Sequence, residues 1–177
     1  MDQAFELAQV NIARLLEPLD SPRLADFVAG LERVNALAEA APGFVWRLVS
    51  DSGSDATALR IFDDEWLIVN ASVWTSPLAL FDFVYGDGHR AVLRRRREWF
   101  ERLDEAVTAL WWVPAGHRPT VAEAQERLVY LRENGPSQFA FRLGDDFPPP
   151  EPGQTATVSA SASAQPALSG HADDREA

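Results

Sequence analysis

An α+β domain, with helices laid on an antiparallel sheet, is predicted by three observations. Apolar residues alternate with polar ones in separate short runs, the period of half-buried strands. Between those runs lie long stretches with apolar residues at three- and four-residue spacing, two of them opened by Ser-Pro. The runs follow the order strand, helix, strand, strand, helix, strand, which suits a ferredoxin-like β-α-β-β-α-β unit with an appended helix and short strand.

The first strand spans about 5 to 14, where Ala8, Val10 and Ile12 alternate with Gln9, Asn11 and Ala13. Ser21-Pro22 then signals a helix start, a capping side chain before proline at the first helical position. Leu24, Phe27, Val28, Leu31, Val34 and Ala38 carry that helix to Pro42-Gly43. A second strand runs from Phe44 to Ser50 and a loop rich in Ser, Asp and Gly follows. From about 66 to 74, Leu67, Val69, Ala71 and Val73 share one strand face, and Ile68, Asn70, Ser72 and Trp74 share the other. Ser76-Pro77 opens the second helix, whose periodicity passes Gly86 and Gly88 and reaches about Leu103. Val107 to Val113 is a fourth strand, Thr120 with Glu123 forms a capping box for a last helix to about Glu133, and Phe139 to Leu143 is a short closing strand.

If the 8/10/12 and 67/69/71/73 sets pack on the helices, the opposite sheet face shows Gln9, Asn11, Asn70, Ser72 and Trp74. Two such faces brought together would enclose a cavity of aromatics and amides. Trp46 and the pair Trp111-Trp112 lie on neighbouring strands, as core, dimer interface or ligand platform.

Composition removes much of the remaining chemistry. The chain has 177 residues and no cysteine, which excludes disulfides, thiolate metal sites and cysteine nucleophiles. All 16 basic residues are arginine, so lysine bases and Schiff bases are excluded too. A net charge of −11 argues against nonspecific nucleic-acid binding. No apolar stretch is long enough to span a membrane and no secretory signal opens the chain, so a cytoplasmic protein is expected. No phosphate loop, dinucleotide or flavin fingerprint, or nucleophile elbow is present. Residues 1–144 form the expected domain. Residues 145–177, poor in apolar side chains beyond Phe147, Val158 and Leu168, read as a disordered Pro/Ala/Ser-rich acidic tail.

The sharpest chemical feature lies in the second helical stretch. Val92, Leu93, Trp99, Phe100 and Leu103 define one apolar stripe, with Arg96 near its centre and His89 on the same side two turns earlier, while Arg94 and Glu98 point away. Arg96 either pairs with a carboxylate or snorkels, or binds an anionic group of a ligand. His89 is a structural histidine or a general acid or base. His117 suits a turn, and Asp63-Asp64-Glu65 a solvated loop rather than a cation site.

The segments GFVWRL (43–48), Ser-Val-Trp (72–74), FVYGDGH (83–89), LRRRREWFE (93–101) and LWWVPAGHRPTVAEA (110–124) resemble a bacterial family filed among domains of unknown function. That family resembles the dimeric α/β-barrel superfamily, which includes antibiotic-biosynthesis monooxygenases, haem-degrading monooxygenases and muconolactone isomerases. The resemblance implies a homodimer around a hydrophobic small-molecule ligand, and an enzyme of monooxygenase, isomerase or cyclase type, with a noncatalytic binding or interaction module as the alternative. It implies roles for His89, Asn11 and Trp74 at the reacting centre, with haem as a cofactor and His89 its ligand in one version. Arg96, Asn70, Ser72, Trp46 and Trp112 are then the expected substrate-binding residues. The gap from Trp74 to His89, with its two glycines, departs from the haem-degrading pattern and puts iron ligation in question.

Overall fold

The computed structural model describes residues 4–51, 53 and 55–151. In chain order the elements are β1 (Phe5–Arg14), α1 (Ala25–Glu39), β2 (Phe44–Arg47), β3 (Arg60–Ile61), β4 (Asp64–Trp74), α2 (Pro77–Tyr85), α3 (Asp87–Trp99), β5 (Thr108–Pro114) and α4 (Val121–Asn134). The sheet is antiparallel and open, ordered β2-β4-β1-β5, with β3 also paired to β4. With β1 between β4 and β5, this is the ferredoxin-like arrangement, α2 and α3 together standing in for its second helix.

The two sheet faces are covered differently from the sequence-based expectation. The apolar face of Ala8, Val10, Ile12, Val69, Val73, Ala109, Trp111 and Val113 packs on Ala124, Leu128 and Leu131 of the appended helix α4. The crossover helices α1, α2 and α3 lie instead over the face that carries Gln9, Asn11, Asn70 and Ser72. A wholly apolar strand face gains most from continuous cover, and α4 supplies that cover within the chain. The amide face therefore lies beneath helices of its own chain.

Local differences have local causes. Residues 21 to 24 form tight turns ahead of α1, with Leu24 N donating to Ser21 O at 3.1 Å, and α1 has no side-chain cap. The second helical stretch breaks at Gly86, which is extended (φ −65°, ψ 150°) and both ends α2 and starts α3. Apolar spacing continues across that joint, so periodicity alone could not see it. A Cβ on Gly88 would lie 2.7 Å from Leu37 Cδ1, and its absence lets α3 approach α1. Two helix starts follow the expected chemistry, with Ser76 Oγ accepting from Ala79 N and Thr120 Oγ1 from Glu123 N, both at 3.1 Å.

β3 was not anticipated; it is joined to β4 by a two-residue turn with Phe62 and Asp63 both at positive φ, 59° and 51°. The short strand expected at 139 to 143 is a single bridge, with Leu110 and Phe141 exchanging backbone bonds of 2.8 and 2.9 Å. Beyond it, Trp112 Nε1 donates to Phe147 O at 2.7 Å and Phe147 packs near Phe141. The remainder of the expected tail, with His171, lies outside the described residues. Among the described residues no helix is long and apolar enough to cross a membrane.

Candidate functional site

Strand register lines up the side chains of three strands in rows. Asn11 stands opposite Asn70 on one side and Thr108 on the other, and Gln9 opposite Ser72 and Leu110. In the next row Leu7 stands opposite Trp74 and Trp112. The two ends of this face are apolar. One end is the cluster of Leu7, Trp74, Leu80, Leu110 and Phe141, and the other is Leu15, Leu24, Ile68 and Trp99. The helices are pinned at both ends and stand off the polar middle, because an apolar helix face laid on those amides would strip their water and offer no partners. The gap is a cavity of about 940 Å³.

The polar floor is only partly self-satisfied. Trp74 Nε1 donates to Ser72 Oγ at 2.8 Å, and Ser72 Oγ donates to Gln9 Oε1 at 3.0 Å. Asn11 Nδ2 donates to Thr108 Oγ1 at 2.9 Å. These bonds leave the Gln9 amide N–H groups, the Asn11 carbonyl and the whole Asn70 amide to meet whatever fills the cavity.

His89 enters from the first turn of α3. Its Nδ1 lies 3.1 Å from Val84 O. A carbonyl only accepts, so Nδ1 carries the proton and Nε2 keeps its lone pair. Burial pushes the imidazole below its ordinary 6.5, against the raising effect of the Val84 bond, so the ring is neutral at pH 7. Phe83 lies between Trp74 (ring centroids 5.1 Å apart, stacked) and His89 (4.9 Å).

Of the sequence-predicted residues, His89, Asn11, Trp74, Arg96, Asn70 and Ser72 all line this one cavity. They are not gathered at a point. Trp74 and His89 meet through Phe83, whereas Asn11 sits four residues along β1 from the Trp74 row, about 13 Å at strand rise. Arg96 lines the cavity, exposed and with its guanidinium free of any hydrogen bond or ion pair to another described residue, so the carboxylate-paired alternative is absent. Trp46 packs with the α4-side core, and Trp112 packs beside Phe147; neither lines the cavity. His117 Nε2 is 2.7 Å from Glu123 Oε2 on the α4 side, and its backbone N closes a turn on Pro114 O. The Trp66 N–H, and then Arg14, hold the Asp64 carboxyl below the usual range, and among the described residues no acidic or histidine cluster could hold a metal.

Sequence reasoning missed Thr108, Phe83, Arg97 and Arg102, all cavity-lining. Thr108 could be found only from the β1–β5 register, whereas Gln9 was visible in the alternation of β1.

A family model described as Domain of unknown function (DUF3291) matches residues 6–157. No curated protein matches this sequence. Among solved structures, the chain is similar to SnoaB, a cofactor-independent oxygenase from Streptomyces nogalater, at 21% identity and a TM-score of 0.41 over 66% of this chain and 97% of that one. It is similar to a putative antibiotic biosynthesis monooxygenase from Chloroflexus aurantiacus at 15% identity and TM-score 0.40, over 66% and 98% of the two chains. It is also similar to a dabb family protein with a ferredoxin-like fold from Mesorhizobium loti, at 12% identity and TM-score 0.38, over 65% and 98%.

Proposed function

The chain belongs to the family described as Domain of unknown function (DUF3291), and we propose that it is an enzyme acting on a hydrophobic, aromatic small molecule held beneath α1 and α3. One observation carries this reading: a cavity of about 940 Å³ whose apolar walls surround a partly paired amide floor and a neutral histidine that turns Nε2 away from its Val84 bond. Sites for small organic ligands combine those properties, a large apolar enclosure with a few convergent polar groups.

In this reading the amides of Gln9, Asn11 and Asn70 orient hydroxyl or carbonyl groups of the ligand, and Trp74 and Phe83 present ring faces at the His89 end. His89 Nε2 accepts a proton, and the Val84 carbonyl, accepting from Nδ1–H, stabilises the imidazolium that results. Isomerisation or cyclisation needs that proton returned at another atom; oxygenation consumes dioxygen as co-substrate. The donor set also fits a haem. His89 Nε2 would hold its iron, with Nδ1–H anchored on a carbonyl as ligating imidazoles are, and Arg96 would meet a propionate. Bound haem would supply an iron centre for oxygen chemistry.

The test is turnover of a panel of naphthols, hydroxyanthrones and quinones under air, with and without added haemin. Conversion that is lost in His89→Ala and kept in His117→Ala supports the reading. Conversion indifferent to His89→Ala removes His89 from the chemistry, and a Soret shift with haemin that persists in His89→Ala removes it as the iron ligand.

A further inference from the structure

The ionic groups along the cavity are unevenly matched. Every lining carboxylate is engaged: Asp26 with Arg95 at 2.8 Å, Glu101 with Arg14 at 3.3 Å, Glu105 with Arg132 at 2.8 Å, and Asp55 with the Thr57 N–H and hydroxyl at 2.8 and 2.6 Å. Among the lining arginines Arg47 pairs with Glu39 at 2.7 Å, but the guanidinium groups of Arg96, Arg97, Arg102 and Arg142 have no hydrogen bond or ion pair to another described residue. The first three lie together in sequence at the C-terminal end of α3 and in the segment that leaves it, whereas Arg142 stands apart, beyond α4. The helix dipole favours cations in the last turn and accounts for the sign of Arg96 and Arg97. It does not account for Arg102, three residues past Trp99, nor for free guanidinium groups in a chain with 27 acids to 16 arginines.

The neutral His89 sits at the other end of the same helix, seven residues from Arg96, about 10 Å along the axis. Between them Val92 and Leu93 from α3, with Phe27, Leu31 and Val34 from α1, line the walls. We infer that the ligand is an elongated amphipathic organic oxyanion: an anionic group held by Arg96, Arg97 and Arg102, an apolar body under the helices, and its reacting group about 10 Å away at His89. Guanidinium groups favour carboxylate and phosphate oxygens through paired N–H donors, so either headgroup suits the mouth. The inference rests on the cavity reading above and gives it a polarity and a length.

The arginine run itself supplies the control, since Arg94 carries the same charge on the same helix and does not line the cavity. Two fluorescent dyes share one aromatic body: anilinonaphthalene sulfonate is anionic and N-phenyl-naphthylamine is neutral. The full chain is expected to bind the anion about tenfold more tightly, although its net charge of −11 repels anions at long range. Arg96→Gln and Arg102→Gln each weaken the anion about fivefold and leave the neutral dye unchanged, whereas Arg94→Gln moves neither. Competition by naphthoate or by naphthyl phosphate identifies the headgroup. Equal affinity for the two dyes, or an Arg94→Gln effect as large as that of Arg96→Gln, overturns the inference. Val34→Trp separates this failure from that of the cavity itself. Loss of neutral-dye binding in Val34→Trp keeps the cavity reading even when the anion preference is absent, and binding of both dyes unaffected by Val34→Trp sinks both.

Discussion

Replacing the two central floor amides, Gln9→Leu together with Asn11→Leu, separates recognition from stability. The double variant loses the 2.9 Å bond from Asn11 to Thr108 and the 3.0 Å bond from Ser72 to Gln9, a net cost of about 1 kcal/mol each. Ser72 keeps the donor from Trp74 Nε1, and the Thr108 hydroxyl can turn to cavity water. Both positions are half-buried, so each leucine gains roughly half of the 1.5 to 3 kcal/mol that full burial gives, about 1 kcal/mol. The terms offset, and stability is expected to change by less than about 1 kcal/mol. At a urea slope of about 2 kcal/mol per molar, the unfolding midpoint followed by tryptophan fluorescence moves by less than about 0.5 M. Binding of a hydroxyquinone, followed by quenching of the cavity-lining Trp74 and Trp99, weakens about tenfold with the loss of one or two ligand hydrogen bonds. A midpoint that falls by more than about 1 M would show that the amides hold the sheet together rather than wait for a ligand. Unchanged hydroxyquinone binding would refute the floor as a recognition surface.

Further outcomes follow from single positions. Because burial lowers the native His89 pKa below the unfolded 6.5, the unfolded chain binds the extra proton first; the stability contribution is complete above about pH 6.5 and is lost as pH falls from there toward the native value. His89→Gln is expected to flatten the urea midpoint between pH 7 and 5, and an unaltered pH profile refutes the assignment. Asp64, lowered from 3.8, acts in a separate window, its contribution being lost as pH drops below that value. Gly43→Ala combines φ +81° with a new Cβ 2.6 Å from both Ala79 Cβ and Thr75 Oγ1, so a loss of at least about 2 kcal/mol is expected in urea unfolding, and a near-neutral change contradicts the β2–α2 packing. Leu128→Ala, on the α4 side and fully buried, should cost about 3 kcal/mol yet leave ligand affinity of the folded protein unchanged; altered affinity would mean that the two faces are coupled.

The elements were largely legible because their signals are local. Strict alternation in Phe5–Arg14 and Asp64–Trp74 marks half-buried strands whatever covers them, and Ser76-Pro77 and the Thr120/Glu123 pair cap the helices they announce. The stripe that joins His89, Arg96 and Trp99 is also a local property of one helix, and all three line the cavity. What failed was of another kind. The break at Gly86 changes a direction and not a period, Trp46 is turned to the α4 side by its register against Val73, and Trp112 is taken up by Phe147 from beyond the last strand.

Even the cavity has a shadow in β1, where one face reads Leu7, Gln9, Asn11, Ala13, Leu15, apolar at both ends and polar in the middle. The sequence determined that this face could not be packed shut along its whole length, since unpaired amides resist burial under an apolar helix. Only the tertiary structure decided what would stand over it. Once α4 took the apolar face, the crossover helices roofed the amides within one chain, and the register of β5 brought Thr108 to Asn11. The same packing left three arginines of an acidic protein without carboxylates at one end of that roof. Face assignment and charge pairing follow from contacts between residues far apart in the chain, which no local period encodes.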